Sequence, residues 1–147
     1  MFANFDRTNY PYIKVKMSGV PEDDNDFQNF LDQWLSLYDE EKEFTFIFDT
    51  LEVGLPQIKY SIKMSQFIKV LKKREYQYLQ KSIILINSNK IKHMLDFIFL
   101  LQPPVAPVYI SNSDSQIELN SDILCENIIN DENTTCIKPS KSIVPFL

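Results

Sequence analysis

Three short apolar runs, residues 44–48, 82–86 and 108–110, alternate along the chain with stretches whose apolar residues recur at helical spacing. That order, strand then helix and repeated, builds a parallel or mostly parallel sheet covered by helices. Residues 12–17 supply a further strand, with Ile13, Val15 and Met17 alternating against Lys14 and Lys16. Residues 2–6 are expected to pair with it as a hairpin. The expected fold class is α/β: a single mixed, mostly parallel sheet of four to five strands with three main helices.

The first helix starts near Asp23 or Asp24, where a carboxylate can cap the unpaired amides of the first turn. Its apolar stripe is Phe27, Phe30, Leu31, Trp34, Leu35 and Tyr38. The second spans about residues 57–73, with Tyr60, Met64, Phe67, Ile68 and Leu71 inward and Lys59, Lys63, Lys69 and Lys73 outward. The third covers about residues 90–101 and stops at Gln102-Pro103-Pro104. It is apolar nearly all round, with only Lys92, His93 and Asp96 forming a polar strip. Such a helix is buried on two sides or meets something else: the tail of the same chain, a second subunit or a membrane surface. Leu95, Phe97, Phe99 and Leu100 are therefore the expected partner-binding residues.

Residues 1–111 read as the α/β domain. Residues 112–147 read as a polar C-terminal extension, partly disordered or docking on the domain, with a short helix around 115–125. Residues 126–142 read as loop or disorder, and residues 143–147 are a short apolar segment.

The inventory excludes several chemistries. Only two glycines are present, Gly19 and Gly54, too few for a dinucleotide fingerprint or a phosphate-cradling loop. Two cysteines, Cys125 and Cys136, and one histidine, His93, make neither a zinc site nor a disulfide framework. No cofactor or metal is implied, no catalytic constellation is found, and the chain reads as a non-enzyme. Asp49, at the carboxyl end of a central run, and Thr50 after it occupy the place where open parallel sheets hold ligands; a turn-organising role is the simpler expectation.

Charge is unevenly spread. Residues 22–43 hold nine acidic side chains against Lys42, and residues 59–81 hold seven basic ones against Glu75. A molecule polar from face to face follows. The overall charge of −5 argues against a nucleic-acid partner. No transmembrane run and no signal segment is visible, so a cytoplasmic protein is expected, with peripheral lipid contact left open.

The residues resemble a family. Tyr10-Pro11-Tyr12-Ile13-Lys14-Val15-Lys16-Met17-Ser18-Gly19 is followed by an acidic loop and the Phe27, Phe30, Leu31, Trp34, Leu35, Tyr38 helix. Phe44-Thr45-Phe46-Ile47-Phe48-Asp49-Thr50, Ser82-Ile83-Ile84-Leu85-Ile86 and Leu101-Gln102-Pro103-Pro104-Val105-Ala106-Pro107-Val108-Tyr109 come next. Over about residues 2–111 this pattern is similar to STAS-like domains, relatives of the bacterial anti-sigma-factor antagonists with a fold like the lipid-carrying Sec14 domains. The resemblance implies a regulatory module that binds a protein partner or forms a homodimer. Its alternative implication is a lipid or small-ligand carrier, which calls for a pocket of several hundred cubic ångströms, on the scale of about 300–1,000 Å³. In the antagonist branch an Asp-Ser pair presents a phosphorylated serine. Asp49-Thr50 matches that position, which implies a phospho-switch at Thr50, although the glycine-rich continuation is replaced by Leu51-Glu52-Val53-Gly54-Leu55-Pro56.

Overall fold

The computed structural model describes residues 1–112 and 122–140, with the backbone alone at Ile123. In chain order these form β1 (Ala3–Asp6), β2 (Tyr12–Gly19), α1 (Asp24–Tyr38), β3 (Phe44–Val53) and α2 (Ile58–Leu71). Then come β4 (Leu79–Ile86), α3 (Asn89–Leu101), β5 (Val108–Asn112), α4 (Asp122–Ile129) and β6 (Thr135–Ile137).

Two of the long helices begin at side-chain caps. Asp23 accepts the N–H of Asp26 at 2.8 Å, and Asp24 and Asp26 lie against the positive end of α1. Ser88 accepts from Lys90 at 3.1 Å to start α3. Helix α2 has no side-chain cap and begins after the extended residue Gln57.

The strands lie in sequence order, β1-β2-β3-β4-β5-β6. Strands β2 to β5 are parallel, and β1 and β6 close the two edges antiparallel. Parallel neighbours in sequence order need three crossovers, and a common right hand places all three on one face. Helices α1, α2 and α3 therefore make a single layer. Their Phe30, Tyr60 and Ile91 pack into one core with Phe46, Ile84 and Val108 of the sheet.

The mixed α/β class is as expected, but the described sheet has six strands rather than four or five. The sixth, Thr135–Ile137, lies in the stretch expected to be loop or disorder. It pairs Ile137 with Val108 and Thr135 with Ile110, satisfying the outer edge of β5. Three residues are too few to display a strand period. Part of the same stretch, Glu126 to Ile129, is helical within α4. Of the short helix expected at 115–125, residues 115–121 lie outside the described residues, as does the apolar segment 143–147.

The two faces of the sheet differ. On the helix side Phe44, Phe46 and Phe48 alternate inward from β3 and meet an aromatic cluster. Trp34 stands 4.8 Å from Phe46, 5.3 Å from Phe67 and 5.6 Å from Phe48, ring centre to ring centre. Such pairs each add about 0.5–1.5 kcal/mol beyond the area they bury. On the other side Tyr12, Ile47, Ile83 and Leu85 form a smaller core with Cys125 of α4, flanked by Ile128 and Ile129.

The acidic and basic runs meet rather than face apart. Asp24 of α1 lies 3.0 Å from Lys59 and 3.5 Å from Lys63 of α2. All three side chains are well exposed, so these pairs contribute little to stability.

Candidate functional site

Helix α3 is the element on which the expected binding residues converge, and its sides do different things. Ile91, Leu95 and Ile98 recur at i, i+4 and i+7 and are buried. Phe97, Leu100 and Leu101, at i, i+3 and i+4, share another flank. Leu100 is 56% exposed there, while Phe97 and Leu101 are half-buried. The four residues expected to bind a partner thus divide. Leu95 and Phe99 line the interior of the fold, while half-buried Phe97 and exposed Leu100 lie outside that lining. The sequence marks all four as apolar, and only the helix's position over the sheet separates them.

Beneath α3 lies a cavity of about 120 Å³ between the helix layer and the sheet. Leu95, Ile98 and Phe99 form one wall, and Phe48, Ile84 and Val108 form the floor. The residues Trp34, Met64 and Ile68 of α1 and α2 close the far end. No lining residue carries a charged side chain. No local signal in the sequence foretells the cavity. Met17, Met64 and Met94 come together there from three separate elements, and only strand register and crossover hand unite them.

The polar groups around the cavity have distinct fates. Thr50 is buried, and its hydroxyl donates to the Leu85 carbonyl at 2.7 Å. Tyr60 donates its hydroxyl to Asp24 at 3.1 Å, at the exposed end of its ring. Burial, and then the Asp24 carboxylate, raise the Tyr60 phenol above its ordinary range. Hydrogen bonds from Lys59 and Tyr60 hold the Asp24 carboxyl below its usual range. Trp34 Nε1–H is buried without a partner in hydrogen-bonding geometry. Its dipole is felt by Tyr38, whose hydroxyl is already donating to Gln77 at 3.0 Å. Burial pushes the Tyr38 phenol up to about 12, against the opposing pull of Trp34 and Arg74.

Asp49 and Thr50 sit inside β3, which runs on to Val53, while α2 starts only at Ile58. The expected turn site is therefore corrected to a strand interior. The polar pair reads as a stop, yet each residue finds a partner within the sheet. Asp49, 2% exposed, accepts the Leu51 N–H at 3.1 Å, and Thr50 uses Leu85. By alternation the two side chains lie on opposite faces. Glu52 is ion-paired with Lys16 at 3.5 Å.

His93 is exposed, and Asp96 is ion-paired with Lys92 at 2.8 Å. Among the described residues no group of three or more His, Cys, Asp or Glu is placed to hold a metal ion. Among them, too, no helix is long and apolar enough to cross a membrane. No family model matches the chain, and neither a curated protein nor a solved structure matches it.

Proposed function

We propose that the chain is a non-enzymatic, cytoplasmic interaction module of STAS-like type that binds a protein partner, or a second copy of itself, through the outer flank of α3. The observation that carries this reading is the strip of Phe97, Leu100 and Leu101. Leu100 is exposed there and Phe97 is half-buried beside it, on a helix whose inner side already completes a core. Exposed apolar side chains grouped on one helix flank are a recurrent form of partner surface. The strand–helix order that prompted the resemblance supports the same reading.

The other implications of the resemblance receive less support. A lipid carrier needs several hundred cubic ångströms, roughly 300 Å³ at the least. The cavity measures about 120 Å³, below that scale. The switch at Thr50 has less support, because its hydroxyl is buried and donates to the Leu85 carbonyl, a bond that phosphoryl transfer would have to break.

The test places a photo-crosslinking amino acid at position 100 and, as a control, at exposed Glu41. Sedimentation equilibrium is run alongside. The expected result is a discrete crosslinked species from position 100 alone, lost on Phe97→Asp with the circular dichroism spectrum unchanged. A monomer at every concentration, with no more crosslinking at 100 than at 41, overturns the proposal.

A further inference from the structure

We propose that the cavity under α3 is a binding site for one small, uncharged, apolar molecule of about the size of a benzene ring. The inference is independent of the outer flank of α3. Volume sets the size. An enclosed apolar space of about 150 Å³ accepts benzene; this one measures about 120 Å³ and is open to solvent along part of its boundary.

The wall sets the chemistry. A ligand charge would meet no counter-charge, because no lining residue is ionic. Polar groups on the wall are few: the Thr50 hydroxyl is committed to Leu85 and the Tyr60 hydroxyl to Asp24, which leaves the Ser61 and Ser82 hydroxyls and the Trp34 indole N–H in a wall that is otherwise carbon. Adaptability is built in as well. Three of the chain's four methionines, Met17, Met64 and Met94, line the space, and each is half-buried. Methionine is unbranched, polarisable and able to reshape a pocket around an aromatic guest.

The same three residues provide the readout. The fourth, Met1, is 72% exposed and lies outside the lining, so it is an internal control. The full chain with 13C-labelled methionine methyl groups is titrated with benzene, and its melting temperature is followed in parallel. The expected result is saturable movement of the Met17, Met64 and Met94 methyl signals while Met1 stays still. Six carbon atoms in an apolar site give a dissociation constant on the order of 1 mM. At ten times that concentration the melting temperature rises by about 3–5 °C.

Ala106→Leu and Ser82→Val each place carbon into the space from a lining position and are expected to abolish both responses. Val70→Ala, at an exposed residue outside the lining, is expected to keep them. Unmoved methyl signals at saturating benzene overturn the proposal. So does a response undiminished in two folded filling variants, which would place benzene elsewhere. Should one filling variant fail to fold, the other decides.

Discussion

Replacing Thr50 tests whether this position is a wall or a switch. Its hydroxyl is buried, 7% of the residue is exposed, and it makes one hydrogen bond of 2.7 Å across to β4. Thr50→Val keeps the shape and the strand preference and removes that bond. A single buried hydrogen bond of this kind is worth about 1 kcal/mol, which for a domain near this size lowers the melting temperature by about 3–4 °C. Thr50→Glu is a different event. It drives a carboxylate toward a wall that offers no cation, so the side chain must either remain charged without a partner or take up a proton. The expected cost at neutral pH is more than about 4 kcal/mol, measured by urea unfolding. The sign of the pH dependence follows. The glutamate's folded-state pKa is raised, so the penalty applies above it and eases as pH falls and the carboxyl is neutralised. A Thr50→Glu protein within about 1 kcal/mol of wild type at pH 7 refutes the placement of this hydroxyl and reopens a regulatory phosphate there.

Other expected outcomes are simpler. Leu95→Ala, at an 8% exposed position beside the cavity, should cost about 2–5 kcal/mol, whereas Leu100→Ala, at 56%, should stay within about 0.5 kcal/mol; urea titrations of the two variants check the division of α3. Asp23→Ala removes the cap that accepts the Asp26 N–H and should cost about 1 kcal/mol, read by thermal melting. For Tyr38 the folded phenol is raised to about 12, so its contribution is complete below the unfolded value of about 10 and is lost as pH rises through 12. Unfolding free energies measured from pH 9 to pH 12 should therefore fall less steeply in Tyr38→Phe.

Much of the fold is legible in the chain because its signals are long. The Phe27-to-Tyr38 stripe covers three turns, and every one of its members except Leu35 is buried in the structure. Leu37, three residues after Trp34, is buried more deeply than Leu35 and fits the same helical period. Strand β3 is misjudged at its end because Asp49 and Thr50 read as terminators, while the Thr50 bond to Leu85 depends on the neighbouring strand being present and the Asp49 bond to Leu51 is made within β3 itself. Strand β6 is missed because three residues carry no period, and its pairing is fixed by β5 alone. The division of Leu95 and Phe99 from Phe97 and Leu100 is a matter of a helix's rotation over a sheet. Composition does not encode that rotation, and packing does.

The cover on the far side of the sheet has a consequence for the order in which the molecule is made. Tyr12, Ile47, Ile83 and Leu85 lie under Cys125, Ile128 and Ile129 of α4, a segment translated after all four parallel strands. At about 5–20 residues per second, a ribosome holds an incomplete chain with that greasy surface uncapped for seconds before position 129 emerges. Nascent chains arrested between β5 and α4 should therefore engage chaperones, and those arrested beyond α4 should be released from them.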